Sequence, residues 1–193
     1  MTTPLARQLE HGEEGRAVDA FKLARRTFLK GERVEMQALA AALETSRVTL
    51  HRWVGSRDLL LGEVTWSLAD AALRHARAET RDTGGPGVAE TIERFLDLIL
   101  AAPYIHAFVD REREIALRIL TTQSSPCQAR LVQAVEDILA EEAGQGRIDP
   151  PLALPDLAYV VVRLAESFCW TDLIAGSDPD PRKARQAIAA LLR

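Results

Sequence analysis

The residues best equipped for chemistry lie between Thr45 and Arg57. Three arginines, one histidine, two threonines and two serines occur there without a single acid. Guanidinium, imidazole and hydroxyl groups at this density are donors for phosphate oxygens and base edges. Arg47, Val48, Thr49 and Arg52 are the candidates for base edges. An arginine suits guanine O6 and N7, and the methyl of a threonine or valine suits the thymine methyl. The other reading of each arginine is a solvated helix face.

Such side chains read a major groove only if a compact helical scaffold presents them on one helix. Met36 to Leu61, MQALAAALETSRVTLHRWVGSRDLLL, has the form of two short helices, a tight turn and the start of a third. Leu39, Leu43, Leu50 and Trp53 face one small core, and Ala40 stands where crossing helices need a side chain no larger than a methyl. Trp53 reads as core in preference to a stacking platform for bases. An amphipathic helix at about 14–30 precedes the pair, with Val18, Phe21, Ala24 and Phe28 on one face and Gly31 as its stop. Residues about 2–13 read as a mobile arm. Ser56 is placed to cap a long helix reaching about Arg81.

The remainder also reads as helical, without a convincing strand. Asp82–Gly87, DTGGPG, is the clearest breaker. Helices are expected at about 88–101, a short stretch carrying Tyr104, Ile105 and Phe108, then 111–121, 126–143, 156–175 and a last one ending at Arg193. The expected fold is all-α, with nine or ten helices. Residues 1–57 form a three-helix DNA-binding head, with its helix-turn-helix at about 36–53, and 58–193 form a helical body.

Composition narrows the function classes. The net charge of −4 divides into +3 over residues 1–57 and −7 over the rest, so a basic head sits on an acidic body. Cys127 and Cys169 are too far apart for a metal-ligand spacing or a disulfide framework. No metal or cofactor is expected. No apolar run approaches a membrane span, and the N-terminus lacks an apolar signal core, so a cytoplasmic protein without membrane association is expected. The chain has no nucleophile elbow, no Gly-rich phosphate loop and no HExxH or CxxC spacing. Asp110–Ile115, DREREI, lacks the Glu-x-x-His pairs of a di-iron bundle. No catalytic residue is assigned, and an enzyme is not expected. The alternative to a DNA-binding protein is a helical partner-binding protein without sequence-specific DNA binding.

Leu39-Ala40, the turn Glu44-Thr45-Ser46, Thr49-Leu50-His51-Arg52-Trp53-Val54 and Ser56-Arg57-Asp58-Leu59-Leu60 together resemble the signature of the TetR-type transcriptional regulators. That resemblance implies that Ser46, His51 and Arg57 touch phosphates. It implies a homodimer on an inverted-repeat operator of double-stranded DNA. The chain departs from the pattern at Glu44, where the family has Gly, at His51 for Tyr, at Val54 for Phe and at Arg57 for Lys. If the turn needs φ > 0, Glu44 costs on the order of 1 kcal/mol more than Gly. His51 donates to a phosphate most strongly when protonated, so DNA affinity is expected to vary between about pH 6 and 8.

The resemblance also implies a small-molecule effector among the body helices and a dimer interface on the last two. Candidate effector contacts are Trp66, Phe95, Tyr104, Phe108, Tyr159, Phe168 and Trp170, each of which reads equally as core. Arg163 and Glu166 are either a local i,i+3 pair or a polar anchor for the effector. Ala184, Ile188, Leu191 and Leu192 share the face of the last helix assigned to the dimer. Val162–Phe168 with Asp172–Gly176 is similar to the branch of the family typified by a quorum-sensing-degradation regulator (QsdR). That likeness implies a lactone or acyl-type effector acting on a repressor.

Overall fold

A computed structural model describes residues 3–122, 124–174 and 176–193. Among them the secondary structure is entirely helical: α1 Pro4–His11, α2 Arg16–Leu29, α3 Met36–Ala42, α4 Arg47–Val54, α5 Arg57–Glu79, α6 Gly84–Leu100, α7 Pro103–Thr121, α8 Pro126–Gly144, α9 Leu154–Cys169, α10 Thr171–Ile174 and α11 Pro181–Leu191. No helix among the described residues is long and apolar enough to cross a membrane. The helices gather into two compact units. One comprises Met1–Ser67 and Pro103–Gln128, the other Leu68–Ala102 and Ala129–Arg193.

In the first unit, α2 is the central element, touching α1, α3, α4 and α7. Its Val18, Phe21, Ala24 and Phe28 are all buried, as their spacing predicts. Phe28 sits edge-on to Phe108 of α7, ring centroids 5.2 Å apart, and is tilted 56° to Tyr104 at 5.9 Å.

The expected arm is instead a helix. Thr3 caps α1 by accepting from the Ala6 N–H, Pro4 occupies the first turn, and Gly12 closes it at φ 65°. Leu5 is fully buried and α1 packs on both α2 and α4. An eight-residue helix with two leucines is marginal alone; packing on α2 and α4 stabilises it. Thr2, where the arm was expected to begin, lies outside the described residues.

In the second unit, α11 packs mainly against α6 and also against α9. The expected breaker at 82–87 is mostly helix, because α6 starts at Gly84. Pro86 stands in its first turn, where a missing N–H costs nothing. Gly85 is needed for close approach: a Cβ there would collide with the backbone and side chain of Leu192. Tertiary packing thus uses glycines that read locally as a loop. α9 stops at Cys169 and the chain turns into α10; Ala175, the expected end of a longer helix, lies outside the described residues.

Candidate nucleic-acid interface

α3 and α4 form the helix-turn-helix. Leu39 and Ala40 of α3 and Leu50 and Val54 of α4 are buried at their crossing. Full burial of each large apolar side chain stabilises the pair by about 1.5–3 kcal/mol. The turn closes with Glu44 N–H donating to Ala41 O at 3.1 Å and Thr45 N–H to Ala40 O at 2.9 Å. Glu44 adopts φ 50°, the one non-glycine among the described residues with positive φ. The left-handed turn geometry is kept although glycine is missing.

Ser46 caps α4, its Oγ accepting from the Thr49 N–H at 3.0 Å and lying 2.9 Å from Thr49 Oγ1. Gly55 ends the helix at φ 75°, its N–H donating to His51 O at 2.9 Å. A Cβ on Gly55 would come within 2.9 Å of Leu59 and 3.0 Å of Thr3. Ser56 Oγ then accepts from Leu59 N–H at 3.2 Å to start α5. The α4 helix is therefore held at both ends and along its inner face.

Its outer face is free. Ser46, Arg47, Val48, His51 and Arg52 are exposed and Thr49 is half-buried. Val48 is 72 % exposed. Arg47 and Arg52 make no ion pair among the described residues. Trp53 is half-buried with the Arg16 guanidinium 5.6 Å over its ring, and Arg16 also donates to Leu43 O at 2.7 Å. Trp53 is thus part of the scaffold, and Arg16 is a brace across the turn that sequence reading missed. Beside α4 an open hollow is lined by Arg47, His51, Ser56 and Arg57 together with Glu35, Met36 and Gln37. The last three also escaped notice, since nothing local marks the start of α3 as facing the same hollow.

Arg57 differs from the other expected DNA contacts. Its side chain is only 16 % exposed. Its Nε donates to Val34 O at 2.6 Å, and its two terminal nitrogens donate to the Glu112 carboxylate at 2.7 Å each.

The residues expected to meet an effector are spread over the molecule. In the first unit, Trp66 is half-buried and Tyr104 and Phe108 pack on Phe28. The void beside them has ≈ 10 Å³, room for about one water and not for a ligand. In the second unit, Phe95 and Trp170 are buried and Phe168 is half-buried. Tyr159 is 52 % exposed, with Arg163 6.0 Å over its ring, so it is a surface residue and not a wall of a cavity within one chain. Glu166 is buried; Arg163 lies 2.7 Å from one oxygen, yet neither oxygen receives an aligned hydrogen bond. Burial pushes its carboxyl up to about 7, with Arg163 pulling the other way.

The dimer face expected on α11 also needs correction. Ala184, Ile188 and Leu192 are buried inside the chain and Leu191 is half-buried. The apolar stripe of α11 is consumed by α6 and α9, as amphipathic stripes are. Among the described residues of this unit, the exposed large apolar side chains are Leu98, Leu152 and Tyr159.

The family described as "Tetracyclin repressor-like, C-terminal domain" matches residues 83–193. No curated protein sequence matches the chain. Among solved structures, the TetR-family transcriptional repressor QsdR of R. erythropolis superposes with a TM-score of 0.86 at 23% identity, covering 91% of this chain and 93% of that one. The TetR-family repressor AlkX from Dietzia sp. strain DQ12-45-1b, implicated in biodegradation of n-alkanes, gives 0.60 at 24% identity, over 91% and 94%. The multidrug binding protein EbrR, complexed with imidazole, gives 0.57 at 17% identity, over 94% and 97%. At these identities the likenesses speak for a shared fold.

Proposed function

This chain belongs to the TetR family of transcriptional regulators, and from that premise we propose that it is a homodimeric, cytoplasmic, non-enzymatic repressor released from an inverted-repeat operator by a small ligand. The observation that carries the DNA-binding part is the outer face of α4. A valine 72 % exposed between unpaired arginines, on a helix clamped at both ends, serves no packing purpose within the chain. It suits a thymine methyl flanked by guanines. Arg47, Val48, Thr49 and Arg52 are assigned to base edges, and Ser46 and His51 to phosphates.

The dimer is assigned to the outer side of α9, where Tyr159 is exposed, together with Leu152, exposed just before that helix begins. The effector is assigned to the second unit, near Phe95, Phe168, Glu166 and Trp170. An apolar or amphipathic compound of lactone or acyl type fits that aromatic set. EbrR, a multidrug binding protein of similar fold solved with imidazole, is a precedent for a small molecule held by such a body.

The test is fluorescence anisotropy of the protein with duplexes from upstream of its own and neighbouring genes, at two salt concentrations. One fragment should bind tightly, with affinity falling steeply as salt rises. Arg52→Ala should weaken that binding by about tenfold or more, the loss expected of one base-reading arginine. Binding of every fragment no tighter than random duplex would favour the partner-binding alternative. Once an effector is found, operator DNA must weaken its binding by the same factor by which it weakens DNA binding.

A further inference from the structure

We propose that Glu112 is the positioning residue of the DNA-binding head, holding the helix-turn-helix through Arg57, and that Arg57 is its tether and not a phosphate contact. The inference rests on the DNA-binding reading of α4. Arg57 is the first residue of α5, directly after the Ser56 cap that follows α4. Its Nε holds the carbonyl of buried Val34, two residues before α3 begins. One guanidinium therefore joins the two ends of the helix-turn-helix. Its remaining grip is the bidentate pair with Glu112, both bonds 2.7 Å, on a carboxylate only 6 % exposed.

Glu112 is also where α7 leaves helical geometry, at φ −139° and ψ 47°. The helix breaks at the residue that reaches Arg57. The neighbouring contacts reinforce the junction. Arg111 donates to Gly31 O at 2.7 Å, Arg118 pairs with Asp58 at 2.5 Å, and Arg33 stands 3.5 Å from Glu112. A guanidinium so committed has no fork left to offer a phosphate. Taking it away would leave a nearly buried carboxylate with the more exposed Arg33 as its remaining ion pair among the described residues, the costly way to break such a pair. The arrangement fixes the direction of α4 from behind.

The variants Glu112→Gln, Arg57→Gln, Arg57→Lys and the double Glu112→Gln/Arg57→Gln test this, each checked for helicity by circular dichroism. Amide hydrogen exchange without DNA comes first. Glu112→Gln should speed exchange in α3 and α4 by about tenfold or more relative to α6 and α11, and the double variant should be no worse than Arg57→Gln, because it removes the carboxylate that Arg57→Gln strands. Operator binding follows. Glu112→Gln and Arg57→Gln should each weaken it, with the slope of log affinity against log salt unchanged. Arg57→Lys should fare as badly as Arg57→Gln, because an ammonium cannot grip both carboxylate oxygens. A slope about 0.9 shallower in Arg57→Gln, with tighter binding in Glu112→Gln, would make Arg57 a phosphate contact restrained by Glu112 and overturn the proposal. Unchanged exchange in Glu112→Gln would overturn it as well. If the unaltered protein binds no fragment specifically, the DNA-binding reading fails alone, and exchange still decides the tether.

Discussion

Single residues carry the departures from the usual pattern. Glu44 is the case with the clearest cost: a side chain with a Cβ at φ 50° sits about 1 kcal/mol or more above glycine there. Glu44→Gly should therefore raise the denaturation midpoint modestly, and Glu44→Val should lower it, as read by chemical unfolding. An unchanged midpoint in both would mean that the turn relaxes around the side chain. Two buried glutamates pull stability in opposite directions with pH. Glu142 is fully buried among Arg147, Arg77 and the Gly84 N–H, and these donors, Arg147 foremost, hold its carboxyl down to about 2. A depressed carboxyl stabilises the fold above its unfolded value of about 4.5, and that stability is lost as pH falls towards 2. Glu166 is the reverse. Its carboxyl, raised to about 7, favours the fold below 4.5 and withdraws that support as pH rises through 7. Each effect is on the order of 3 kcal/mol. Unfolding titrations should show Glu142→Gln flattening the acid limb and Glu166→Gln flattening the limb between about 4.5 and 7. Glu166→Gln should also make the protein more stable at pH 8.

Elements show how local signals and packing divide the work. The basic outer face of α4 and its inward Leu50 follow from local spacing and are legible in the sequence, whereas it is Val54 and not Trp53 that completes the buried side. α1 was misread although its signals, Thr3-Pro4 at the start and Gly12 at the end, were local too. A helix so short has no lasting stability of its own, and only the groove that receives Leu5 makes it one. α1 is thus a buttress of the recognition helix. Leu5→Ala should cost about 2–5 kcal/mol and should weaken operator binding more than an exposed change such as Arg7→Ala. Equal affinities for Leu5→Ala and the unaltered protein, both folded, would show that α4 is held without α1. The expected site residues divided in the same way. Those on α4 stand together on one open face, because 3.6-residue spacing alone places them. The aromatic candidates separated, because the same spacing describes core and cavity wall alike.

At the scale of the whole molecule the question is what a second copy sees. The apolar face of α11 is spent inside the chain, so the proposed dimer would pair through other residues. Tyr159, exposed on α9 and partnered by Arg163, is the foremost of them. Tyr159→Asp should shift sedimentation from dimer to monomer and, through the loss of two-site binding, weaken operator affinity by about a hundredfold. A variant that remains a dimer with full affinity would move the interface off this face. The charge asymmetry also belongs to this scale. In the proposed DNA-binding role, the acidic remainder would repel DNA while residues 1–57 attract it, which would orient the approach.

The amino-acid sequence by itself determined the all-helical class, the helix-turn-helix and its outward side chains, and through them the family, because each depends on the spacing and capping of neighbouring residues. Tertiary structure decided what distance along the chain conceals. Arg57 meets a carboxylate fifty-five residues away, Gly85 makes room for Leu192, and Ala184, Ile188 and Leu192 turn inward while Tyr159 turns outward. The physical reason is the same each time. Periodicity says that a face will be covered and a charge matched, but only packing chooses the partner.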